Sequence, residues 1–174
     1  IAADADTVWA AITQSDYLRS YFHGTSYAEG PTPGARFRPA QSDGDVIGDR
    51  SFSEDPEVVV TYAEAYARRL LDEGITPVLK HFPGHGSSSG DTHDGAAATP
   101  PIDQLRSSDL VPYAELLPRL GGQSGVMLGH LDVPGLTEDG LPASVSSAAV
   151  RLLRDDYGFQ GVVMTDDLGS MAAI

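Results

Sequence analysis

The sequence predicts an α/β fold built on a parallel sheet, and three observations predict it. Strand-like and helix-like segments alternate from about residue 55 onward, in the order helix, strand, helix, strand, helix, strand. The strand segments "ITPVLKHF", "SGVMLGHL" and "GVVMTDDL" are runs of apolar residues without polar alternation, the pattern of strands covered on both faces by helices. All three runs end in polar residues: Lys80 and His81, His130, and Asp166 with Asp167. Parallel α/β folds carry their sites at the C-terminal ends of strands, so this common edge is where chemistry is expected.

The elements follow in order. "ADTVWAAIT", residues 5–13, sets Val8, Trp9 and Ile12 at helical spacing, and "SDYLRSYF" adds a turn or two. "GTSYAEGPTPGARFRPA" reads as strand, Pro/Gly turn, strand, with Tyr27 before the turn and Phe37 after it. "AQSDGD" is a polar turn. "EDPEVVVTYAEAYARRLLDEG" is a helix with Asp55 as its cap, Pro56 at its first position and Gly74 past its end. Its expected inward stripe is Val59, Tyr62, Ala63, Tyr66 and Leu70. After the first strand comes a long loop, Pro83 to Pro101, rich in glycine, serine and alanine. "IDQLRSSDLVPYAELLPRLG" is helical with an interruption near Pro112, and "SVSSAAVRLLRDDYG" is a helix with a serine cap and a closing glycine. No internal repeat is evident.

Bulk properties narrow the function. The 174 residues fit one domain, or a domain with a fragment of another, and a hydrophobic fraction of 41% supports a packed core. The formal charge of −14 repels phosphate backbones and anionic membranes, which argues against nucleic-acid and membrane partners. With no cysteine there is no disulfide framework, no thiolate metal site and no cysteine nucleophile. No apolar run approaches the ~20 residues of a membrane span. The chain begins at Ile1 without a signal-peptide pattern, so it is read as a fragment or trimmed chain and its compartment is left open.

The densest polar stretch is "KHFPGHGSSSGDTHD", residues 80–94, which holds Lys80, the only lysine. Lys80 at the end of an apolar strand is costly unless paired or open to a cleft. His85, between two glycines, suits loop shaping and chemistry equally. Asp91 and His93, one residue apart, suit a carboxylate orienting an imidazole for acid/base work, or a solvated loop. Of the adjacent Asp166 and Asp167, one is expected to cap the next helix and the other to be a catalytic candidate. His130 taken alone is more often structural. His81, His85, Asp91, His93 and His130 also match zinc or iron ligands in type, but Pro83 and Gly84 keep His81 and His85 off a common helix face.

"VIGDRSFSEDPEVV", "GITPVLKHFPGHGSSSGDTHDG", "GVMLGHL", "LPASVS" and "YGFQGVVMTDDLGSMAAI" together resemble glycoside hydrolase family 3, in its β-N-acetylglucosaminidase branch, over residues 45–174. The resemblance implies a TIM-type barrel and hydrolysis with retention. A full barrel takes about 250 residues, so the expected fold is an incomplete TIM-type (β/α) barrel segment. It implies Asp166 as nucleophile, His93 as general acid/base and Asp91 as the group that orients it, on a glycine-rich loop that moves. It implies Arg50, Lys80, His81 and His130 as sugar-binding residues, an N-acetylglucosaminide from cell-wall-derived or chitin-like material as substrate, and no metal or other cofactor. Residues 1–44 are similar instead to the opening of a START-like, helix-grip domain, which implies a chimeric chain with domains 1–44 and 45–174. An inactive chimeric fragment and a metal-dependent hydrolase are the alternative readings. An open sheet is expected to self-associate through its exposed edge.

Overall fold

In the computed structural model the described residues are 26–27, 37–38, 53–90, 92, 95–138 and 140–169. The helix expected over residues 5–13, and Arg50, Asp91 and His93, lie outside them. So does most of the stretch 1–44. Within it, β1 (Ser26–Tyr27) pairs antiparallel with β2 (Phe37–Arg38), Tyr27 opposite Phe37, as the strand–turn–strand pattern predicts.

Helix α1 (Pro56–Asp72) starts where the capping residues place it. The Asp55 carboxylate accepts from the Glu57 amide at 2.9 Å, and Pro56 occupies the first turn, where no amide donor is needed. The chain leaves through Gly74 at φ +74°, a left-handed turn that glycine adopts without penalty. The buried stripe differs from the expected one. Val60 and Ala67 are buried, with Ala63 and Leu71 beside them, while Val59, Tyr62, Tyr66 and Leu70 are half-buried. The helix is thus turned by about one residue, roughly 100°. The small Ala63 and Ala67 let it approach Leu116 and Leu120 of α3 (Val111–Leu120), and Glu64 meets Arg119 there at 2.7 Å. Hydrophobic periodicity does not register that ion pair.

The Arg119 hydrogen bond, with further help from Arg68, holds the Glu64 carboxyl below the usual carboxylate range. A pKa lowered by folding adds stability that is present above the unfolded value and is lost as pH falls through the folded one. Glu64→Gln is therefore expected to lower the melting temperature near pH 7, and to do so much less near about pH 3. Calorimetry at the two pH values checks this.

Three parallel strands make the sheet, in the order β3 (Val78–Phe82), β5 (Gly125–Leu128), β7 (Val162–Thr165). Val78 and Leu79 pair with Gly125 and Val126, and Val126 and Met127 pair with Val163 and Met164. The register breaks between Leu79 and Phe82, where the Lys80–His81 and Phe82–Pro83 peptides are cis. Only β5 is flanked on both sides among the described residues, and it is buried almost throughout. The expectation of three fully buried strands fails for the outer two: Val78 and Val162 are exposed, because no described element covers their free edges. The described residues thus form an open parallel α/β sheet.

The core lies between this sheet and the helices. Phe82 is fully buried and meets the Tyr113 ring edge-on at a centroid distance of 5.1 Å, in a cluster with Leu105, Leu110, Leu128 and Leu153. Burying a side chain of that size contributes about 2–3 kcal/mol. Helix α2 (Ile102–Leu105) and α3 are separated by turns over residues 106–110, and Pro112 sits in the first turn of α3. Helix α4 (Ser147–Arg151) is capped by Ser146, whose hydroxyl accepts from the Ala148 amide. It continues as a wider π turn over Leu152–Asp156. The long loop after β3 contains what the pattern did not signal: β4 (Ala97–Ala98) pairs parallel with β6 (Leu131–Asp132). Two-residue strands carry no periodicity to read.

Candidate active site

The C-terminal ends of β3 and β7 come together across β5. His81 Nε2 stands 3.3 Å from Asp166 Oδ2, with the two side chains 12% and 18% exposed. Gly129, just past β5, makes the approach possible: a Cβ at that position would lie 3.1 Å from His81 Cβ. The Asp166 amide donates to Leu128 O at 3.0 Å, which extends the β5–β7 ladder onto the aspartate itself. Asp166 Oδ1 accepts from the Asp167 amide at 3.0 Å. One carboxylate oxygen is thus fixed by backbone and the other faces an imidazole, which sets the group's direction.

The two adjacent aspartates divide their work. Asp167 Oδ1 accepts from the Gly169 amide at 2.8 Å, a local turn bond of the kind short acidic side chains make. Asp166 instead faces another strand. Lys80, one residue before His81, is exposed.

His130 is 1% exposed. Its Nε2 lies 2.9 Å from Asp167 O and its Nδ1 lies 2.6 Å from Ser144 Oγ. A carbonyl oxygen only accepts, so Nε2 carries the proton, and in the neutral ring Nδ1 accepts from the Ser144 hydroxyl. His130 therefore ties the loop before α4 to the turn holding the two aspartates. His130→Gln, which can still donate to Asp167 O, is expected to cost about 1–2 kcal/mol in urea unfolding.

The loop after β3 is organised by buried polar groups. His85 meets His81 edge-on, with ring centroids 5.6 Å apart. Its Nδ1 lies 2.9 Å from Ser88 Oγ and its Nε2 lies 3.3 Å from Thr92 Oγ1. Asp109, from the turn before α3, accepts from the Ser87 amide and from the hydroxyls of Ser87 and Ser108. Sequence reasoning missed Thr92, Ser88, Asp109 and Ser144. Glycines at 84 and 86 marked a shaped loop there, but nothing local names a partner at position 109.

The described residues bring together Asp166, His81 and, through the turn, His130. Lys80 is adjacent, and Asp91, His93 and Arg50 are not described. Among the described residues no three histidines or carboxylates gather as metal ligands. A cavity of about 370 Å³ lined by Leu117, Pro118, Gly121, Gly122 and residues 157–160 lies near the starts of β5 and β7, away from Asp166, and brings no carboxylate or imidazole.

An acceptor carboxylate at a strand end, beside an imidazole and below a polar loop, suits attack on an electrophilic carbon. Comparison with known proteins supplies the family. The family model described as glycosyl hydrolase family 3 N terminal domain matches residues 39–174. The beta-hexosaminidase LpqI of Mycobacterium tuberculosis is 56% identical over 137 residues, which are 76% of this chain and 34% of that protein. A beta-hexosaminidase of Xanthomonas oryzae is 40% identical over 130 residues, 74% of this chain and 38% of that protein. Among solved structures, a glycosyl hydrolase of the GH3 family from Mycobacterium smegmatis superposes with a TM-score of 0.70 at 55% identity, over 78% of this chain and 41% of that one. A glycoside hydrolase family 3 beta-N-acetylglucosaminidase from Paenibacillus superposes with a TM-score of 0.74 at 32% identity, over 99% of this chain and 32% of that one. The chain spans about a third of the length of the curated relatives it matches.

Proposed function

Because the chain belongs to glycosyl hydrolase family 3, we propose that it carries the catalytic residues of a retaining β-N-acetylhexosaminidase, acting on terminal β-linked N-acetylglucosamine. The observation that carries this reading is the contact of His81 with Asp166, which aims a carboxylate at the common strand end.

In the proposed reaction Asp166 attacks the anomeric carbon while the glycosidic C–O bond breaks. His93, as imidazolium, gives its proton to the leaving oxygen. Neutral His93 then takes a proton from water, which attacks the anomeric carbon and releases Asp166 as carboxylate. Asp91 orients His93. An imidazole suits both halves because its pKa is close to neutrality, so it gives and takes a proton at the same pH. Lys80, His81 and Arg50 bind the sugar's hydroxyls or N-acetyl group. His130, expected to bind the sugar, has both ring nitrogens engaged by Ser144 Oγ and Asp167 O, and serves the pocket instead by fixing the Asp166–Asp167 turn.

The test is to trap the intermediate. A 5-fluoro N-acetylglucosaminyl fluoride should add one sugar mass to the peptide containing Asp166, read by mass spectrometry. Hydrolysis without a trapped sugar on that peptide would sink the assignment of Asp166.

A further inference from the structure

We propose that Thr92 is a positioning residue for the acid/base step, held by His85 through a hydrogen bond whose direction the surrounding atoms fix. The inference rests on the glycosidase reading above. The fixing begins at Ser88. Its hydroxyl oxygen lies 2.8 Å from His85 O, 3.1 Å from Gly90 O and 2.9 Å from His85 Nδ1. A hydroxyl has one proton, and both carbonyls only accept, so that proton goes to a carbonyl. His85 Nδ1 must then donate to Ser88 Oγ. In the neutral ring this leaves Nε2 as an acceptor, and Thr92, 3.3 Å away, donates to it.

Thr92 is 1% exposed and His85 is 6% exposed. A hydroxyl buried so completely needs its partner, since an unmade bond there costs about 1–3 kcal/mol. Thr92 stands between Asp91 and His93 in the sequence, so whatever fixes its backbone fixes the point from which both neighbours depart. His85 in turn packs edge-on against His81, which faces Asp166. An unbroken chain of side chains therefore links the nucleophile's strand end to the residue at the centre of the Asp-Thr-His motif. Neither His85 nor Thr92 takes part in bond making. Their role is to hold the centre of the Asp-Thr-His motif in place.

The experiment compares Thr92→Val and Thr92→Ser with the unsubstituted chain on two substrates. 4-Nitrophenyl N-acetyl-β-glucosaminide has a good leaving group that needs little protonation, whereas the phenyl glycoside depends on the general acid. Thr92→Val should lose kcat/KM roughly tenfold more on the phenyl glycoside than on the 4-nitrophenyl one, and Thr92→Ser should restore most of the difference. Equal losses on the two substrates, or no rescue by serine, would overturn the proposal, because a merely structural defect does not sense the leaving group. Nitrogen-15 NMR of the His85 ring supplies a readout independent of turnover. A proton on Nδ1, with an Nε2 signal that moves in Thr92→Val and not in Thr92→Ser, is expected; a proton on Nε2 alone overturns it. Failure of the underlying glycosidase reading looks different: the unsubstituted chain then hydrolyses neither substrate.

Discussion

Asp166→Asn is expected to abolish release of 4-nitrophenol from 4-nitrophenyl N-acetyl-β-glucosaminide, with a loss on the order of 10⁴-fold or more. Asparagine matches aspartate in shape, and its amide oxygen can still accept from the Asp167 amide, so the turn should persist. What it loses is the ability to form a glycosyl ester. The melting temperature should therefore stay close to that of the unsubstituted chain while turnover disappears. The same substitution at Asp167 should cost far less turnover, because that side chain is spent on the Gly169 amide. Comparable turnover in Asp166→Asn and the parent would show that another group attacks the sugar.

Gly84→Ala carries the largest expected cost in stability, about 3 kcal/mol or more. Two effects combine. Gly84 sits at φ +146°, where a side chain is strained, and an added Cβ would fall 2.2 Å from Asp109 Cβ. Asp109 cannot step aside cheaply, since its carboxylate accepts three bonds from Ser87 and Ser108. Displacing it also unseats the loop that carries His85. Urea unfolding should show the lower midpoint. Asp109→Gly, which removes the clashing atoms, should recover part of the loss when combined with Gly84→Ala. A Gly84→Ala chain as stable as the parent would mean the loop adopts a different path from Gly84 to Ser87.

Legibility followed the range of the interaction. The Asp55 cap, the Ser146 cap and the three strand segments depend on neighbours a few residues away, and the sequence displays them. The edge shared by Lys80, His81, His130 and Asp166 was also legible, because parallel topology sends strand ends to one side. The face that α1 buries was not. Both candidate stripes are apolar enough, and the partners that pack on the buried one, Leu116 and Leu120 of α3, lie far along the chain. Thr92 was hidden for a similar reason. A threonine between two ionisable residues looks like a spacer until His85 is placed against it. The acid/base assignment came from the Lys-His-Phe-Pro-Gly-His-Gly and Asp-Thr-His pattern, and no spacing argument would have singled out His93 from a solvated loop histidine.

The amide of Asp166 forms the final rung of the β5–β7 ladder, bonding to Leu128 O immediately beyond the last paired residues. Ladders open from their ends, and the ends open at a smaller free-energy cost than the whole domain. The group proposed to do the chemistry thus sits on the part of the sheet that frays first. Warming should misdirect the carboxylate while most of the sheet is still intact, so that heat silences the site before it melts the protein.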